Sequence, residues 1–161
     1  MNDISKPERV TQNRVMALFR DELKYHGLGD WSDRDNNRQI EDGLLSDWLT
    51  RRGCSPAQIG VALHKLHTEA DNPSRTLYEN NQAVYQLLRY GIPVQTQVGR
   101  NHETVHLIDW ADPEANDFAI AEEVTLRGGF ERRPDLVLYI NGIAVAVIEL
   151  KNSRVSIGDG I

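Results

Sequence analysis

A chain of 161 residues with 40% hydrophobic and 26% charged residues can bury a core, and it is too apolar to be disordered. Its net charge of −6 argues against a generic nucleic-acid coat, and its single cysteine, Cys54, excludes an internal disulfide and suits a reducing cytoplasm. The longest apolar run, Ile143 to Ile148, is too short to span a bilayer, and the N-terminus has no secretory apolar region, so a membrane role is not expected.

Residues 1–8 are polar and contain Pro7, which predicts a frayed start. Arg9 to Tyr25 reads as a helix with an imperfect apolar stripe of Val10, Met16, Leu18, Phe19 and Leu23, stopped by Gly27 and Gly29. Gly29 to Asn37 reads as a charged connector. A second helix, about Arg38 to Arg51, places Ile40, Leu44, Leu45, Trp48 and Leu49 on one side and closes at Gly53. Ser55-Pro56 caps a third, to about Ala70, with Ile59, Leu63 and Leu66 inward. The fourth, Leu77 to Tyr90, is expected to bury Leu77, Val84, Leu87 and Leu88 and to end at Gly91, where Pro93 prevents continuation. This organisation divides the chain into an N-terminal helical arm and connector (1–37) and a main domain (38–161).

From Val94 the pattern turns to strands: Val94 to Val98, Thr104 to Trp110, Phe118 to Leu126, and two arms around Asn141-Gly142. Turns are read at Gly99-Arg100-Asn101, Asp112-Pro113 and Gly128-Gly129. Helices followed by a run of strands imply an α+β fold with a mixed sheet. Asn-Gly between runs of Val, Ile, Leu and Tyr is a strong hairpin signal. Neither arm alternates polar with apolar, so both read as central strands covered on two faces. No covering helix follows the second arm, so the sequence reads as the N-terminal piece of something longer.

The hairpin carries Asp135 at its entry and Glu149 and Lys151 at its exit. Charges at the mouth of a buried hairpin need compensation. Two carboxylates suit Mg²⁺, and a lysine beside them suits a phosphate or a metal-bound water. From Arg127 to Arg154 five cations stand against three anions, a modest basic surplus that suits phosphate or simply a solvated rim.

Register decides whether these groups meet. A two-residue turn with unbroken pairing sets Asp135 opposite Ile148, on the wrong face from Glu149. A three-residue loop with Gly142 as a bulge residue sets Asp135 opposite Val147, with Glu149 its diagonal same-face neighbour at about 7 Å. The metal reading therefore predicts a bulge, at the turn or along one arm.

Acid-x-lysine is a weak pattern alone, and Glu22-Leu23-Lys24 also fits it. That copy lies in a helix, where i and i+2 do not face each other. For the copy at Glu149, a structural ion pair at a strand end competes with a metal site. Glu41 and Glu79 are each candidates for a further helix carboxylate, and each is also a natural surface charge. His64 and His67 with Cys54 lack a third ligand at zinc spacing. His102 and His106 flank a strand without a partner acid. Trp31, Trp48 and Trp110 read as core or interface residues rather than base-stacking platforms. No Gly-x-Ser-x-Gly elbow or nucleotide fingerprint is present.

Pro134-Asp135 followed by Glu149-Leu150-Lys151 resembles the PD-(D/E)xK nuclease motif. The words Thr76-Leu77-Tyr78-Glu79-Asn80-Asn81, Gly91-Ile92-Pro93-Val94, Val105-His106-Leu107-Ile108-Asp109-Trp110, Asn116-Asp117-Phe118 and Arg132-Arg133-Pro134-Asp135 resemble the N-terminal region of type I restriction enzyme R subunits. The resemblance runs from about Glu41 to the end. It implies a restriction-endonuclease-like core, with a mixed central sheet flanked by helices and preceded by a helical region.

It further implies a cytoplasmic Mg²⁺-dependent endonuclease acting on double-stranded DNA, assembled with methylation and specificity subunits. Asp135 and Glu149 would hold the metal, the Leu150 carbonyl would be a further ligand, and Lys151 would orient the attacking water. ATP belongs to the full-length subunit, because this chain has no Gly-x4-Gly-Lys-Ser/Thr loop. A non-catalytic fragment that docks on the methyltransferase complex is the alternative.

Overall fold

Two capping boxes show how directly the sequence sets the helical part. Ser55 accepts from the Gln58 amide while the Gln58 side chain accepts from the Ser55 amide, and Thr76 and Glu79 do the same. Each pair satisfies two amides that the first helical turn would otherwise leave without partners. The structure is a computed structural model that describes residues 5–95, 99, 102–126 and 132–151. Its helices are α1 (Ser5–Ala17), α2 (Asp42–Arg51), α3 (Pro56–Ala70) and α4 (Leu77–Tyr90). Its strands are β1 (His26–Asp30), β2 (Ile92–Val94), β3 (Glu103–Val105), β4 (Phe118–Glu122), β5 (Leu136–Ile140) and β6 (Ile143–Ile148).

The chain forms two compact units, one of residues 1–40 with 117–161, the other of residues 41–116. The second unit contains α2 to α4 and the antiparallel pair β2–β3. Leu45, Trp48, Leu49, Ala62 and Leu66 form its fully buried helical surface. Helix α4 departs from expectation: Asn80 is its one buried residue, Leu77 is 76% exposed, and Val84, Leu87 and Leu88 are half-buried. Its apolar stripe finds only partial cover within this unit.

The first unit is built on a four-stranded mixed sheet in the order β1-β4-β5-β6. Strand β1 pairs parallel with β4, and β4, β5 and β6 follow antiparallel. Residues 26–30, expected from sequence to be a helix end and connector, thus form a strand at one end of the described sheet. The helix stops earlier than expected, passing through a wide π turn at Leu18–Glu22 before Lys24 takes a positive φ of 62°. Most of its predicted stripe is exposed (Val10, Leu18, Leu23), while Met16 is buried.

Strand parity sorts the core onto two faces. Ile120 and Leu136 pack with Met16, Val15 and Phe19 of the N-terminal helical segment and with Leu138 and Ile148. On the other face Ala119, Ala121, Val137 and Tyr139 pack with Trp31 and Val124. Strand β5 is central, as expected. Strand β6 is not: among the described residues it ends the sheet, bridged only at Ile143 by Ile40, with Val145 45% and Val147 57% exposed. A continuous apolar run identifies a strand but not how many neighbours it has. The Gly128-Gly129 turn, part of the Val94 to Val98 strand, most of the Gly99-Arg100-Asn101 turn and everything past Lys151 lie outside the described residues.

The hairpin turn has two residues, Asn141 (φ 52°) and Gly142 (φ 84°), both in the left-handed region that an Asn-Gly pair tolerates. Asn141 is fully buried; its Oδ1 accepts from the Asp117 amide at 2.7 Å, and its own amide donates to the Asp117 carbonyl at 2.8 Å. Asn141→Ala should therefore lower unfolding free energy by about 1–3 kcal/mol, read from urea midpoints at unchanged m-value.

Candidate functional site

The register between β5 and β6 answers the question the sequence posed. Near the turn Ile140 pairs with Ile143 and Tyr139 with Ala144, the plain two-residue arrangement. Farther out Leu138 pairs with Ala146, Val137 with Val147 and Leu136 with Ile148. Val145 is the extra residue, a β-bulge along one arm, the second of the two places the metal reading allowed; the three-residue loop with a Gly142 bulge does not form. One inserted residue reverses the face of everything beyond it. The next step of this register sets Asp135 across from Glu149, not diagonal to it.

Local contacts hold this corner together. The Leu150 amide donates to Asp135 Oδ2 at 2.6 Å, tying the two arms beyond the last strand pair. The Glu123 amide donates to the Asp135 carbonyl at 2.9 Å from the other side. Asp135 is half-buried, and Glu149 and Lys151 are exposed. The Glu149 carboxyl is held above the usual range, first by loss of water around it and next by the Asp135 charge. Lys151 pulls it back and Glu123 adds to the repulsion. Asp135, Glu149 and Lys151 are therefore close enough for each charge to act on the Glu149 carboxyl.

Glu123, inside the strand expected over Phe118 to Leu126, is a further neighbour of this corner. It follows β4 with a positive φ of 49°, uncommon for a residue with a side chain. Arg133 Nε lies 3.2 Å from one of its carboxylate oxygens, and the Gln12 amide donates to the other at 3.2 Å. Gln12 also reaches Glu122, as does Arg9 at 3.3 Å. The only sequence signal was the acid doublet Glu122-Glu123 ending an apolar run.

The remaining sequence candidates fall elsewhere. Glu79 is used by the α4 capping box, which holds its carboxyl below the usual range through the Thr76 amide and hydroxyl. Glu41 is buried at the start of α2. His67 Nε2 lies 2.7 Å from Asp42 Oδ1. Glu22-Leu23-Lys24 is exposed throughout, with Lys24 Nζ on the Asp21 carbonyl.

Among the described residues no three His, Cys, Asp or Glu side chains gather as a metal cage. A two-carboxylate site lies below that count. It is also the donor set Mg²⁺ accepts, since that ion keeps several waters and takes one or two carboxylates with substrate oxygens. Asp135 and Glu149 could hold such an ion, and the repulsion on Glu149 is what a cation there would relieve.

A helical region followed by a mixed sheet flanked by helices is an α+β arrangement of the PD-(D/E)xK-like kind. The chain belongs to the family described as type I restriction enzyme R protein N terminus, whose model matches residues 5–161. It is 28% identical over 116 residues to a putative type I restriction enzyme MjaIXP endonuclease subunit of Methanocaldococcus jannaschii, covering 68% of this chain and 10% of that protein. It is 38% identical over 80 residues to the type I restriction enzyme HindI endonuclease subunit of Haemophilus influenzae, covering 47% of this chain and 8% of that one. The chain thus spans a tenth or less of the length of these relatives. No solved structure gives a significant match. No helix among the described residues is long and apolar enough to cross a membrane.

Because the folded chain holds the Glu149 proton more tightly than the unfolded chain, this group costs stability above its folded pKa and stops doing so as pH falls through it. Glu149→Gln should raise Tm at pH 7, and the gain should shrink toward zero as the pH is lowered through the Glu149 titration. Deleting Val145 removes the bulge residue itself, so pairing should become unbroken with Glu149 still across from Asp135. Its carboxyl titration, followed by NMR, should then stay above that of an ordinary glutamate, whereas Asp135→Asn should lower it.

Proposed function

We propose that this chain is the endonuclease module of a type I restriction R subunit, hydrolysing phosphodiester bonds of double-stranded DNA with Mg²⁺. The observation that carries the reading is the bulge at Val145, which brings Glu149 to the face of Asp135 with the Lys151 charge beside it. Family membership supports the same conclusion.

Asp135 and Glu149 would hold the ion, with the Leu150 carbonyl as a further ligand. When bound, Mg²⁺ supplies a Lewis acid for the scissile phosphate and for water. The Leu150 amide fixes one Asp135 oxygen, and among the described residues the other accepts no hydrogen bond and could turn toward a ligand. Lys151 orients the attacking water and offsets charge developing on phosphorus. Arg133 and Arg9 restrain the neighbouring acids Glu123 and Glu122, so the acidic surroundings do not repel the DNA backbone unopposed. ATP use is not assigned to these residues and is expected of the full-length subunit alone. Double-stranded DNA and the methylation and specificity subunits are the partners this reading implies, in the cytoplasm.

The exposed apolar residues of α4 (Leu77, Tyr78, Tyr85) favour a second reading, a docking module that cleaves nothing. Supercoiled plasmid separates the two. Under the first reading, nicking requires Mg²⁺ and drops about 100-fold or more in Asp135→Asn and Lys151→Ala. Mg²⁺ should also raise the Tm of the wild type but not of Asp135→Asn, independently of turnover. Absence of both effects, with retained affinity for the methyltransferase complex, supports the docking module.

A further inference from the structure

The second unit contains a cavity of about 550 Å³ lined by Trp48, Arg52, Arg89, Tyr90, His106 and Trp110 among others. That volume lies within the range of about 300–1,000 Å³ common for small-ligand sites. Gly91 brings its walls together. With φ at 79° this residue ends α4, and a Cβ there would lie 2.6 Å from Thr104 Cγ2 and 2.9 Å from the Val105 carbonyl. Only glycine lets the end of α4, with Arg89 and Tyr90, close this tightly on β3 and the segment that follows it.

Two indoles differ sharply here. Trp48 is 1% exposed and donates from Nε1 to the Ala115 carbonyl, so it forms fixed floor. Trp110 is 49% exposed although its Nε1 is tied to the Leu88 carbonyl at 2.8 Å. A held ring with half its surface in water is a ready stacking plate, and this exposure departs from the core half of its core-or-interface reading.

Two guanidiniums frame the plates. Arg89 lies 5.2 Å from the Trp110 ring centre, and Arg52 lies 5.7 Å from that of Trp48. Asp109 is the carboxylate of the lining, and the amides of Ala111 and Asp112 and one Arg52 nitrogen (2.6 Å) already engage it. Arg52 keeps further N–H donors, and Arg89 faces no carboxylate among the described residues. Planar donors suit phosphate oxygens, and exposed aromatic faces suit a base.

We propose that this cavity binds a nucleotide, its base against Trp110 and its phosphate between Arg52 and Arg89. The source is either a free mononucleotide or an unpaired nucleotide of a nucleic-acid strand. The site lies wholly within residues 41–116 and does not depend on the nuclease reading.

The test follows the Trp110 indole N–H by NMR in the full chain without divalent metal, its signal assigned from Trp110→Phe. AMP, adenosine, inorganic phosphate and a short thymidine oligonucleotide are titrated separately. AMP or the oligonucleotide should shift the signal saturably and bind at least tenfold tighter than adenosine or phosphate. The tighter of the two identifies the source. Arg89→Gln should weaken binding about tenfold while leaving the remaining amide spectrum in place. No saturable shift with either nucleotide ligand overturns the proposal, as does equal binding by wild type and Arg89→Gln. Running the titration without metal separates its failure from that of the Asp135–Glu149 site.

Discussion

A β-strand offers its side chains to two faces in strict alternation, so any constellation drawn from two strands depends on the residue count between its members. In this chain fourteen positions separate Asp135 from Glu149, and a two-residue turn alone leaves them on opposite faces. The Val145 bulge changes that parity. It also explains why β6 can face two ways: Ala144 packs beside Tyr139, while Ile148, four residues on, joins the face covered by α1. With regular alternation these two even-numbered residues would share one face. The bulge therefore serves core packing and the candidate site together.

The electrostatics of the corner follow from this placement. Two acids facing each other repel, and the Glu149 carboxyl registers that repulsion along with its loss of water. The protein offsets part of the acidity by local devices: Lys151 beside Glu149, the Leu150 amide on Asp135, and Arg133, Arg9 and Gln12 on the Glu122–Glu123 pair. What remains is a site whose charge is partly but not fully balanced. A structure selected for stability alone would replace such a pair with neutral residues. At this strand mouth the proposed cation would complete the balance.

The helical unit shows how a sequence word can be specific to a family and local in its physics. Thr76 to Asn81 carried part of the family resemblance, and in the fold Thr76 and Glu79 form a helix cap while Asn80 is the one buried residue of α4. Gly91 has a comparable role, since its positive φ and lack of a side chain let α4 end hard against β3. Both were legible as punctuation. Their consequence, an open pocket with one buried and one half-exposed tryptophan, was not, because exposure is set by what the rest of the unit leaves uncovered.

Local chemistry was written plainly in this chain. Asn-Gly defined the hairpin, Ser55-Pro56 and Thr76 opened helices, glycines closed them, and the acid and lysine words marked one corner as unusual. Those features depend on neighbours along the chain, so one sequence suffices to read them. The sequence also required a bulge somewhere if Asp135 and Glu149 were to meet, but it could not locate it, because a bulge is chosen by packing across strands. Only the tertiary structure placed it at Val145, recruited residues 26–30 as a strand parallel to β4, set β6 at the end of the described sheet and put Glu123 beside the corner. Each of those outcomes rests on contacts between residues far apart in the chain, whose energies no local pattern contains.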